Sequence, residues 1–102
     1  MNGASIEYTE YSDGALSINT EDYFVLDEEL IVFSPSKQAY FGIGGAARLV
    51  FDAMAEAQSP LTERDIRLNL GASRALTPTD IELIRDAIRV LLELGVLHEH
   101  AR

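Results

Sequence analysis

Residues 30–43, LIVFSPSKQAYFGI, constrain the fold more than any other stretch. Leu30, Ile31, Val32 and Phe33 make an apolar, largely β-branched run of strand length. Ser34-Pro35-Ser36-Lys37 is a turn, because proline fixes its own φ and serine hydroxyls bond local backbone. Ala39, Tyr40 and Phe41 resume strand chemistry, and Gly42, Gly44 and Gly45 stop it just where a helical pattern starts. A hairpin that runs straight into a helix leaves its last strand with one edge unpaired. Such an edge must be covered, blunted or used. The expectation is that it is used.

The flanking sequence extends this unit. Tyr23, Phe24, Val25 and Leu26 form a preceding strand, and Asp27-Glu28-Glu29 turns the chain into the next. Three such strands predict a small antiparallel meander over residues 23–43. Residues 1–20 are polar and acidic, with weak alternation at Ile6, Tyr8, Leu16 and Ile18 and a hairpin-type Asp13-Gly14 pair. They read as an acidic tail, or else as an extra hairpin laid on the sheet.

Three helices follow. In residues 45–57, Leu49, Val50, Ala53, Met54 and Ala57 recur at helical spacing, while Phe51 sits off that stripe. Ser59-Pro60 breaks the helix. Thr62-Glu63-Arg64-Asp65 has the form of a capping box and opens a short helix over 63–70, stopped by Gly71. Thr77-Pro78-Thr79-Asp80 opens the longest helix: threonine caps it, proline suits the first position and aspartate suits the dipole. That helix is predicted to run over 78–94 and to end at Gly95. Val96-Leu97 adds a last short strand or docks the tail. Residues 21–98 thus form one domain, with 99–102 as a C-terminal tail.

The third helix carries an unusually wide apolar arc. Leu83, Ala87, Val90 and Leu94 make one stripe; Ile81, Ile84, Ile88, Leu91 and Leu92 make a second beside it. Together they span about half the circumference, against about 100° for a simple surface helix. Either the fold buries both stripes or one border stays open as a groove. Arg85 and Arg89 lie beside the Ile81/Leu92 border, four residues apart on adjacent turns. They either pair within their helix, with Glu82, Asp86 and Glu93, or meet acidic residues of a partner at the rim.

Net charge is −9. Phosphate contacts dominate nucleic-acid affinity, so this balance argues against nucleic acid and anionic membrane and for protein or peptide partners. The absence of cysteine excludes disulfides and thiolate metal sites and fits a cytoplasmic protein. No apolar run approaches membrane-spanning length. Glycines 42, 44 and 45 precede a helix, as in phosphate loops, but no Gly-Lys-Ser/Thr follows. Their bland role is to end the strand and let the helix pack closely. His98 and His100 lack further well-placed ligands, and no serine has a histidine in an activating context. The chain reads as a non-enzyme without metal or cofactor.

The run LIVFSPSKQAYFGIGGAARLVFDAM resembles the PqqD family, the peptide chaperones of pyrroloquinoline quinone biosynthesis, and the related recognition elements of ribosomally made, modified peptides. Tyr40-Phe41-Gly42-Ile43 is similar to that family's aromatic strand, and Ala46-Ala47-Arg48-Leu49-Val50 to its helix start. Residues 91–97, LLELGVL, are similar to its ending; the likeness covers about residues 23–97. Gly44-Gly45 departs from it, where the family more often has a polar capping residue.

The resemblance implies an α+β fold, a winged helix-turn-helix with a three-stranded antiparallel N-terminal sheet packed on three α-helices. It implies a function too: binding the leader of a precursor peptide and presenting it to a modifying enzyme such as a radical enzyme, cyclase or leader protease. In relatives the leader adds as a strand to the hairpin's last strand and lies against the third helix, a mode in which backbone bonds give affinity and side-chain pockets give selectivity. The site so implied comprises Gln38, Ala39, Tyr40, Phe41 and Gly42 with Ile81, Ile84, Arg85, Ile88, Arg89 and Leu92. The alternative is a winged-helix transcription regulator using Arg64, Arg67 and Arg74. Against it, the third helix lacks a basic, polar face for a DNA groove.

Overall fold

In a computed structural model, which describes residues 14–58 and 60–100, two tight turns set the main sheet. Asp27 and Glu28 both take positive φ, 53° and 69°, a backbone shape that matches the twist of antiparallel strands. They join β2 (Tyr23–Leu26) to β3 (Glu29–Ser34). A second turn, closed by the Gln38 N–H donating to Ser34 O at 2.7 Å, joins β3 to β4 (Ala39–Ile43). The strand order is β2-β3-β4, with Val32 opposite both Tyr23 and Phe41. This is the meander expected over residues 23–43. Leu30, Val32 and Ser34 alternate inward along β3 and are buried, with Ile43 beside them. Period-two alternation of this kind is what a half-covered sheet requires.

A second, two-stranded sheet differs from the sequence reading. β1 (Leu16–Ile18) pairs antiparallel with β5 (Leu97–Glu99), Leu16 opposite Glu99 and Ile18 opposite Leu97. Leu16 also exchanges both backbone hydrogen bonds with Leu61, at 2.8 and 2.9 Å. Residues 16–18 are therefore neither a tail nor a hairpin on the meander; Asp13 and all before it lie outside the described residues. Nor does a tail begin at Glu99, which is in the strand. The ladder continues through the His100 N–H, which donates to Ala15 O at 2.8 Å, and His100 Nε2 lies 2.9 Å from Ser17 Oγ. Burial is the reason: Leu16, Val96 and Leu97 are each at most 3% exposed, and leaving such side chains in water costs about 1.5–3 kcal/mol apiece.

The helices are α1 (Gly45–Ala57), α2 (Glu63–Leu70) and α3 (Pro78–Glu93). α1 begins on Gly45 at φ +59°, a conformation glycine adopts without steric cost. Its buried face is Val50, Phe51, Ala53 and Met54. Phe51, expected off the stripe, is in the core because Tyr23 of β2 packs edge-on against it at 4.9 Å, while Leu49 turns to solvent. α2 and α3 each open with a complete capping box: Thr62 with Asp65, and Thr77 with Asp80. The core gathers α1, α3, the inner face of β3 and the β1/β5 pair, with Ile66 from α2. Among the described residues no helix is long and apolar enough to cross a membrane.

Ser34 joins sheet to helix. It is fully buried; its hydroxyl donates to Leu94 O at 2.5 Å and accepts the Lys37 N–H at 3.0 Å. The Ser36 N–H donates to the same Leu94 carbonyl at 3.2 Å. Gly95 follows at φ +77°, and a Cβ there would stand 2.6 Å from Ser36 Oγ. Ser34→Ala removes a buried donor and leaves the Lys37 N–H without its acceptor, while Leu94 O keeps the Ser36 N–H, so it is expected to cost about 1–3 kcal/mol. Urea unfolding checks this: the midpoint falls while the m-value stays constant.

Asp80 gives a pH dependence. The Thr77 backbone N–H holds its carboxyl below the ordinary range, with smaller contributions from the Thr77 hydroxyl and Arg74. A depressed carboxylate contributes stability that is present above the unfolded-state pKa and is lost as pH falls through the folded one. The melting-temperature gap between the wild type and Asp80→Ala is therefore expected to close on acidification below the usual aspartate range.

Candidate functional site

β4 ends the three-stranded sheet, so one row of its backbone N–H and C=O groups faces no partner strand. β2 is the other edge, but α3 distinguishes the β4 side. Ala39, the first residue of β4, lies opposite Ser34, which is bonded to Leu94 just past the end of α3. At the far end, Gly45 and Ala46, just beyond β4, share an open depression of about 770 Å³ with Leu83 and Ile84 of α3. The two ends of β4 are thus linked to α3 through their neighbours, Ser34 at Leu94 and Gly45 at Leu83.

The hairpin residues expected at the site are placed as follows. Gln38 sits in the left-handed region at φ 57°, and its Nε2 donates to Pro35 O at 2.9 Å, so it closes the turn. Ala39, Tyr40 and Gly42 are exposed, and Phe41 is half-buried against the core. The aromatic pair thus splits between the two faces of the sheet. Tyr40 lies on the outer face, 5.3 Å from the Phe33 ring and 6.3 Å from the Phe24 ring, and its hydroxyl donates to the Asp22 carboxylate. The Glu29 side chain covers Gly42 closely: a Cβ on Gly42 would meet Glu29 Oε2 at 2.3 Å.

The α3 residues separate into three environments. Ile84 and Ile88 are core, 5% and 6% exposed, and offer a ligand only the small part of their surface that lines a depression or cleft. Ile81 and Leu92 are half-buried. Arg85, Arg89, Ile88 and Leu92 line a cleft of about 300 Å³ with Leu16, Glu63 and Glu99, on the flank of α3 that meets α2 and the β1/β5 sheet. There Arg85 Nε pairs with Glu63 of α2 at 3.1 Å, a partner outside its own helix. Arg89 pairs within α3, with Asp86 at 3.4 Å and Glu93 at 3.6 Å. The structure does not bring these arginines to the β4 edge.

On the other flank of α3 are Leu83, which borders the depression with Gly45 and Ala46, and Val90, about two turns on. They are 51% and 40% exposed, large for apolar side chains on a helix that is otherwise well packed. They belong to the stripe of Ala87 and Leu94, the latter anchored at the hairpin turn. The signal for them was present in the wide arc; what was missing was which border the rest of the fold covers. Among the described residues no group of three or more histidine, aspartate or glutamate side chains is arranged to hold a metal ion.

The Tyr40–Asp22 contact offers a spectroscopic handle on the outer face. Donation to the Asp22 carboxylate, with desolvation and the negative charge adding to it, raises the Tyr40 pKa. Asp22→Asn is expected to bring the Tyr40 midpoint back toward that of an ordinary tyrosine, read as the ultraviolet phenolate signal absent from Tyr40→Phe. A raised phenol contributes stability that is fully present below the unfolded-state pKa and is lost as pH rises through the folded one.

Comparison with known protein families, with curated proteins and with solved structures finds no match to this chain.

Proposed function

We propose that this chain is a peptide-recognition module that takes up an extended segment as an added strand on β4. In this reading the segment is the leader of a ribosomally made precursor, held for a modifying enzyme in the cytoplasm. The observation that carries it is the free β4 edge, with exposed Leu83 and Val90 on the flank of α3 that meets Gly45 and Ala46, just beyond β4. Strand addition uses the backbone row for affinity and flanking side-chain pockets for register. A bound strand has the row on one side and an apolar helix border on the other, so its alternate side chains are buried. The fold fits a winged helix-turn-helix description, with α2 and α3 as the helix pair and the β2–β4 sheet as the wing. A DNA-reading role is less well supported, since two of the three arginines it would use, Arg67 and Arg74, pair with carboxylates, and Arg64 alone has no ion pair among the described residues.

The ligand for the test is to be sought in the gene neighbourhood: a short precursor gene beside a radical enzyme, cyclase or protease gene would encode it. Titrating that peptide is expected to slow amide exchange at residues 39–43. Saturated binding with unchanged exchange there moves the site elsewhere. Val90→Asp, on an exposed position, is expected to weaken binding about tenfold or more while leaving the melting temperature within a few degrees. It puts an unpaired charge against the buried side chains of the added strand. Binding of random duplex DNA at micromolar concentration and low salt would instead favour a regulator.

A further inference from the structure

The solvent side of α3 beyond Leu83 and Val90 is acidic, and this bears on the chemistry of a strand added at β4. At roughly 100° per residue, Asp86, Glu93 and Glu82 follow Leu83 and Val90 around the solvent side of α3, in that order. All three are exposed. Glu82 has no ion-pair partner among the described residues. Arg89 lies farther round and is shared between Asp86 and Glu93. Exposed pairs of this kind contribute about 0–1 kcal/mol, so an incoming cation competes with Arg89 at little cost. On the strand side, β4 itself carries no charge, and the Glu29 carboxylate lies against Gly42. Lys37 stands at the hairpin turn, at one end of the groove. Arg85 and Arg89 line the cleft on the opposite flank, beside β1 and β5, and Arg74, at the Leu83 end, is paired with Asp80.

Resting on the strand-addition reading, we infer that the segment bound at β4 is apolar with lysine or arginine at the positions that point to the α3 rim. The excess of carboxylates along the groove and the net charge of −9 both steer such a segment in and repel an acidic one. Complementary rim charges act mainly on association rate and salt dependence. The apolar positions of the segment then pack against Leu83, Val90 and Phe41.

Short random peptides displayed on phage, panned on the full chain, test this. Winners that slow amide exchange at residues 39–43 are kept and synthesised. These are expected to be enriched in lysine and arginine at alternate positions. The triple variant Glu82→Lys, Asp86→Lys, Glu93→Lys is expected to bind them at least about tenfold more slowly, with a flatter salt dependence. The neutral variant Glu82→Gln, Asp86→Asn, Glu93→Gln should fall between, and circular dichroism checks that α3 is intact in both. Winners that protect residues 39–43 but are acidic or uncharged, or that ignore both variants, overturn the charge inference and leave strand addition standing. Panning that yields no peptide protecting residues 39–43 overturns both.

Discussion

The carbonyl oxygen of Leu94 is the point where sheet and helices meet. It is one of the acceptors that any helix leaves unpaired at its C-terminus, and here the Ser34 hydroxyl and the Ser36 N–H both donate to it. Three consequences follow from that one junction. The end of α3 is fixed against the β3–β4 turn, so the spacing between β4 and α3 is set. The chain must leave in a left-handed conformation at Gly95, where no Cβ fits beside Ser36. And the exit direction delivers Val96 and Leu97 into the core, with the Asn19 N–H donating to Val96 O at 2.7 Å and so drawing in the residues after β1.

α3 therefore works with two unlike borders. The Ile81/Leu92 border is partly covered: α2 supplies Glu63 to Arg85 and β1 supplies Leu16, with a cleft left between them. The Leu83/Val90 border is left to solvent. An exposed apolar border costs little by itself, since apolar atoms make up much of any protein surface. Its meaning comes from the backbone row of β4, an edge that carries neither a charged residue nor a proline to blunt pairing. Glu29 lies over Gly42 on the outer face and leaves the edge itself open.

Much of this architecture is legible in the sequence because it is locally encoded. Thr62 with Asp65 and Thr77-Pro78 with Asp80 announce their helices within four residues, and both boxes form in full. The hairpin over residues 30–43 is equally local, with its proline turn and its aromatic strand. The β1/β5 pair is not. Three-residue strands have too few positions to show a period, and their partners stand far apart along the chain. The same gap explains the choice of border on α3. A helical wheel shows that the arc is wide; which half is covered depends on where α2 and β1 dock. Arg85 seemed to mark an open rim, yet its partner, Glu63, comes from another helix twenty-two residues away. Phe51 is similar: off the stripe on the wheel, it is core because β2 brings Tyr23 to it.

The β1/β5 pair also has a kinetic meaning. Ser17 and His100, in contact across it, are separated by eighty-three positions, whereas the hairpins and helices close over a handful. Closing so long a loop carries an entropy cost that local contacts avoid, and non-local pairing is correspondingly slow. Yet the elements it ties together, α1 and α3, can dock before it does. With Leu16, Val96 and Leu97 all in the core, this small ladder is a clasp that ties the first described strand to the last.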